Sequence, residues 1–121
     1  MSVLLDSVIL IDHLNAVPAA SRYLQSLNNA AVSVITRAEV LAGTDNDNVE
    51  PVRRLLDRYP TLTIDQAIAD RAAELRRLHR WRLPDAFQAA LAEAHKLQLA
   101  TRNTRDFPPE KHAWVIVPYR T

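Results

Sequence analysis

Apolar and polar positions alternate along this chain in two distinct rhythms. Short apolar or β-branched runs at 3–5, 31–35, 62–64, 98–101 and 114–117 predict strands. Between them, apolar positions three and four apart predict helices. Residues 7–14 form the first, and 18–27 the second, opened by Pro18, which suits an initial turn. A third is predicted from Thr36 to Gly43. Its Thr36-Arg37-Ala38-Glu39 has capping-box spacing, and Gly43, the chain's only glycine, closes it. Residues 44–48 are polar and read as a loop, and 49–59 as a helix. Between 65 and 80, Ile68, Ala72, Leu75 and Leu78 line one helical face. A last helix over 84–95 has Pro84 in its first turn. Strands alternating with helices predict an α/β domain, a mainly parallel central sheet flanked by helices. No repeat, low-complexity tract or linker interrupts residues 1–121, so they read as one domain.

Composition narrows the chemistry. With no cysteine there is no disulfide framework, thiolate zinc site or cysteine nucleophile. A single glycine leaves no glycine-rich phosphate cradle and argues against a serine-nucleophile elbow. No apolar run approaches the roughly 20 residues of a membrane span. The first residues lack the basic region and small-residue cleavage site of a signal peptide. A cytoplasmic protein with no membrane partner is expected. The net charge of +1 does not suggest nucleic-acid binding by itself. Yet thirteen arginines stand against two lysines, Lys96 and Lys111, and the guanidinium fork suits phosphate.

In an open parallel sheet, ligands bind beyond the carboxyl ends of the strands. Asp6 follows the first strand, Glu39 lies in the helix after the second, and Asp106 lies in the turn after 98–101. Asp85 opens the last helix. Each has a structural role open to it. Asp6 can cap a helix, Glu39 can complete the capping box, Asp85 can sit against the helix dipole, and Asp106 can be a turn acid. Gathered at one edge, they would repel one another unless protonated or neutralised by a cation. Oxygen donors without cysteine or paired histidines favour Mg²⁺ or Mn²⁺.

Four segments, LLDSVILIDHL (4–14), ITRAEVLAG (35–43), LPDAFQAALA (83–92) and LATRNTRDF (99–107), resemble in order and spacing the motif blocks of PIN-domain ribonucleases. The likeness is greatest to VapC toxins of toxin–antitoxin pairs. The resemblance implies an endoribonuclease whose Asp6, Glu39, Asp85 and Asp106 hold Mg²⁺ or Mn²⁺ for hydrolysis of RNA by a metal-activated water. It implies supporting roles for Ser7, Thr101 and Asn103. It also implies a homodimer, and an antitoxin protein whose tail covers the acidic groove. The chain departs from the family at Val8, where asparagine or serine is usual. At Lys96 or Leu97, where a glycine is common, an altered turn is expected.

Arg37, Arg102 and Arg105 lie near these acids and are candidates for RNA phosphates, or for offsetting the carboxylates. Arg76, Arg77 and Arg80 share a face opposite Ile68, Ala72, Leu75 and Leu78, as a solvated surface or an RNA-guiding strip. Trp81 could stack on a base or pack inside. The four histidines show no ligand spacing. His13 reads as a helix residue near the site, and Asp12 as facing elsewhere. Leu10, Leu14, Leu24 and Leu27 suit either the core or a dimer face. Two other readings compete. One is a PIN fold without catalysis that only binds a partner. The other is a phosphoacceptor receiver-like domain, against which Asp6 has no acidic neighbour.

Overall fold

The computed structural model describes residues 2–121; Met1 lies outside the described residues. Five short strands form one sheet: β1 (Val3–Leu5), β2 (Ala30–Ser33), β3 (Thr61–Leu62), β4 (Gln98–Ala100) and β5 (Val115–Ile116). Their order is β3-β2-β1-β4-β5, and all four pairings are parallel. The helices are α1 (Ser7–Leu14), α2 (Pro18–Ser26), α3 (Val34–Ala42), α4 (Val49–Leu56), α5 (Gln66–His79) and α6 (Leu83–His95). A 3₁₀ turn at Asn46–Asn48 occupies the expected 44–48 loop. This order differs from the 2-1-3-4-5 arrangement of receiver domains, which removes that reading.

The pleat divides the core. In β1, Val3 and Leu5 point into one apolar cluster and Leu4 into the other. Ala31 and Leu99 join Leu4 beneath α5 and α6, while Val32 and Ala100 join Val3 and Leu5 beneath residues of α1, α3 and α4. Both sheet faces are covered, so the strands are apolar runs rather than alternating ones. Leu10 is fully buried, whereas Leu14 is 41% exposed, so the four leucines considered together in sequence separate.

Three expectations need correction. The strand expected over 31–35 ends at Ser33, and Val34 and Ile35 already belong to α3. Ser33 is the cap there: its side chain accepts from the Thr36 backbone N–H at 3.0 Å, so no Thr36–Glu39 capping box forms. Leu78 is 73% exposed and leaves the face of Ile68, Ala72 and Leu75. Helical spacing from Ile68 and Ala72 reaches Leu75 and then His79, which stacks on Trp81 with ring centroids 4.1 Å apart. Lys96 takes the left-handed conformation (φ 55°) that glycine usually supplies. Gly43 closes α3 at φ −88°, without using that freedom.

Candidate active site

Asp6 stands where β1 becomes α1, and both of its carboxylate oxygens are held. Oδ1 accepts from the Ser7 backbone N–H at 3.0 Å and from Gln88 Nε2 at 3.2 Å. Oδ2 accepts from Thr101 Oγ1 at 2.7 Å. Asp6 is therefore the N-cap of α1, with both carboxylate oxygens engaged. Ser7 reaches it through the main chain.

Gln88 is buried one turn along α6 from Asp85. Its Oε1 accepts from Ser33 Oγ at 2.6 Å, and its Nε2 also donates to Thr36 Oγ1 at 2.8 Å. This amide ties the ends of β1 and β2 to α6. The sequence marks Thr36 only as a helix cap, and Ser33 and Gln88 not at all. The available signal was Gln88, a lone polar residue inside the apolar run of α6, where an unpaired amide would be costly.

The loop after β4 supplies the next layer. The Asn103 backbone N–H donates to Thr101 Oγ1 at 2.9 Å, and Asn103 Nδ2 donates to Asp106 Oδ2 at 3.0 Å. The Asp106 carbonyl accepts from Trp81 Nε1 at 2.9 Å. Trp81 is only 5% exposed, packed against Phe107 and His79, so it is core rather than a base-stacking platform.

Asp85 sits in the first turn of α6, buried. Burial above all, and then the negative charge of Asp6, raise its carboxyl above the usual carboxylate value. Arg82 works the other way, and Asp106 adds to the rise. Asp85 thus feels the charges of both Asp6 and Asp106, and Thr101 and Asn103 link Asp6 to Asp106 by hydrogen bonds. Glu39 is exposed on α3 and lines a cleft with His13, Asp45 and Arg58. Among the described residues, no three acidic or histidine side chains are already drawn together as a metal cage. The donor set still suits a hard dication. It offers carboxylate oxygens only, and Asp85 is crowded by like charge with one loose guanidinium contact to offset it.

The arginines separate by partner. Arg37 Nη1 pairs with Asp57 at 2.8 Å. Arg102 grips Asp12 with two bonds of 2.6 and 2.9 Å, and Tyr119 Oη donates to the same carboxylate at 2.8 Å. Asp12 is thus buried against the β4 loop and the C-terminal segment, a pairing the sequence did not disclose. Arg105, Arg76, Arg77 and Arg80 are exposed, with Arg80 in the left-handed C-cap of α5. His13 Nδ1 shares a 2.7 Å hydrogen bond with Ser21 Oγ and so joins α1 to α2.

The sequence profile of the PIN domain matches residues 3–108. The chain belongs to the PIN-domain family. Ribonuclease VapC10 of Mycobacterium tuberculosis is 36% identical to this PIN domain, over 88% of this chain and 86% of its own. A chain in a toxin–antitoxin complex from Klebsiella pneumoniae superposes with a TM-score of 0.91 at 35% identity, covering 98% of this chain and 99% of that one. A chain of FitAcB from Neisseria gonorrhoeae gives a TM-score of 0.79 at 25% identity over the full length of both. Among the described residues, no helix is long and apolar enough to cross a membrane.

Proposed function

We propose that this PIN domain is the toxin of a toxin–antitoxin pair and acts as a metal-dependent endoribonuclease. The observation that carries this reading is the hydrogen-bond chain from Asp6 through Thr101 and Asn103 to Asp106 at one edge of a parallel sheet, beside a buried Asp85 whose carboxyl is raised by burial and by the charge of Asp6. Mg²⁺ or Mn²⁺ would be held by Asp6, Asp85 and Asp106, with Glu39 as a further ligand. When bound, the ion supplies an activated water and neutralises charge developing on the phosphate. The chain's own part is orientation. Thr101 and Gln88 fix the Asp6 carboxylate, and Asn103 fixes that of Asp106. Arg105 offers charge to the RNA backbone at the same edge. Cleavage would leave a 5′ phosphate and a 3′ hydroxyl.

The same reading assigns a cognate antitoxin as the protein that covers the acidic groove, a homodimer as the working form, and the cytoplasm as the place of action. Its likeness to VapC10 and to a chain of a toxin–antitoxin complex supports the partner. The test is cleavage of a mixed pool of cellular RNA by the purified chain in Mg²⁺, Mn²⁺ or EDTA, beside Asp6→Asn and Asp85→Asn. Cutting that requires metal and disappears in both variants is expected. Equal cutting by parent and variants would sink the assignment. Intact RNA together with no metal binding would instead favour a PIN fold that only binds a partner.

A further inference from the structure

Two of the three arginines that the sequence offers for RNA phosphates, Arg37, Arg102 and Arg105, are already committed. Arg37 is paired with Asp57, and Arg102 is held in a two-bond grip by Asp12. Arg82 is different. It is the N-cap residue of α6, three residues before Asp85, and its side chain is 77% exposed. Its Nε lies 3.4 Å from Asp85 Oδ2. Among the described residues it is the one cation within ion-pair distance of Asp6, Glu39, Asp85 or Asp106.

That contact is loose. Charge-assisted bonds between arginine and carboxylate usually close to about 2.7–2.9 Å and often come in pairs. The Arg102–Asp12 grip has both properties; the Arg82–Asp85 contact has neither. One exposed guanidinium edge at that distance is only a partial counter-charge for the buried Asp85 carboxylate. A divalent ion satisfies such a carboxylate better than a single guanidinium edge. Arg82 would then be released at the place where a substrate phosphate brings in negative charge. Its backbone need not move, because its carbonyl stays fixed by the Ala86 N–H at 3.0 Å.

We propose that Arg82 is a substrate-binding residue: its guanidinium partly offsets the charge of Asp85 in the ion-free site and turns to an RNA phosphate when an ion takes over Asp85. The planar fork suits that second role, since it can engage two phosphate oxygens. The assignment rests on the ribonuclease reading, and its test separates the two.

Arg82→Gln and Arg82→Lys are compared with the parent in two titrations. Mn²⁺ binding is measured by calorimetry. Binding of a fluorescein-labelled, phosphorothioate-linked single-stranded RNA, which resists hydrolysis, is measured by anisotropy in Mn²⁺ over a range of salt. For Arg82→Gln the two affinities should move in opposite directions. Mn²⁺ binds several-fold tighter because a competing cation is gone. RNA binds several-fold more weakly, and log affinity against log salt becomes shallower by about 0.7, the loss of one phosphate contact on a single strand. Arg82→Lys keeps the slope and loses part of the affinity. RNA binding by Arg82→Gln equal to the parent at every salt concentration overturns the assignment. So does weaker Mn²⁺ binding by Arg82→Gln, which would make Arg82 a support for the acids. A parent that binds neither Mn²⁺ nor RNA overturns the ribonuclease reading, and Arg82 with it. Arg82 is exposed, so unchanged melting of the variants is expected and checks that they are folded.

Discussion

Thr101 Oγ1 donates to Asp6 Oδ2 at 2.7 Å, joining the ends of β4 and β1 across 95 residues of sequence. Both residues are buried, and the hydroxyl also accepts from the Asn103 N–H. The site is therefore organised by adjacent strand ends rather than by any one loop. A parallel sheet makes this possible because its strands all finish at the same edge. Gln88 closes the arrangement from the helix side.

Gln88 provides the sharpest test of that arrangement. Gln88→Leu leaves Ser33 Oγ and Thr36 Oγ1 buried without their amide partner and removes one bond from Asp6. A loss of about 2–3 kcal/mol is expected from orphaning such groups, read as a lower urea midpoint with an unchanged slope. Gln88→Glu should be worse near neutral pH, because it sets a second carboxylate against Asp6, and should recover as the pH is lowered. If both variants melt with the parent, the buried amide does not hold the site.

Asp85 should give the opposite sign. Its folded pKa is raised, chiefly by burial and next by Asp6. The folded chain thus binds the proton more readily than the unfolded chain does. The destabilisation is absent below the ordinary value of 3.8, grows as pH rises through the folded pKa, and is complete above it. Asp85→Asn is therefore expected to melt higher than the parent at neutral pH, with the difference shrinking as pH falls toward 3.8. Adding Mn²⁺ should stabilise the parent more than the variant. Thermal melts across pH, with and without Mn²⁺, check both statements.

Asp12 runs the other way. The hydrogen bonds from Arg102 lower its pKa, against burial, and the bond from Tyr119 adds to the lowering. Its stabilisation is present above 3.8 and is lost as pH falls through the depressed folded value. Asp12→Asn should cost about 1.5–3 kcal/mol near neutral pH, the range for hydrogen bonds to charged groups. The gap to the parent should close in acid. A gap independent of pH would mean that packing of α1, and not the ion pair, accounts for the loss. The same pair explains why Arg102 does not stand ready for phosphate.

The cap of α3 shows where sequence reading misjudges a boundary. Thr36 and Glu39 have the spacing of a capping box, but so does Ser33 with Thr36 one turn earlier. The last apolar residues of a buried strand and the first of a buried helix look alike, so Val34 and Ile35 read as strand. Leu78 shows a second limit. Periods of three and four residues both suit a helix, and only the packing shows that the buried face of α5 ends at Leu75, leaving Leu78 exposed while His79 stacks on Trp81.

What the sequence determined by itself is local or periodic. Continuous apolar runs require strands covered on both faces, hence a parallel sheet with helices on each side. Short polar punctuation sets the number of elements, and Asp6 stands where the first strand ends. Only the tertiary structure decided the partners. Gln88 meets Asp6 across 82 residues, Arg102 meets Asp12 across 90, and Tyr119 meets Asp12 across 107. It also left Glu39 exposed on α3 while the buried Asp85 came to feel the charges of Asp6 and Asp106. The reason is physical. Periodicity reports which face of an element is buried, whereas a hydrogen bond or ion pair depends on how two faces distant in sequence come to rest against each other.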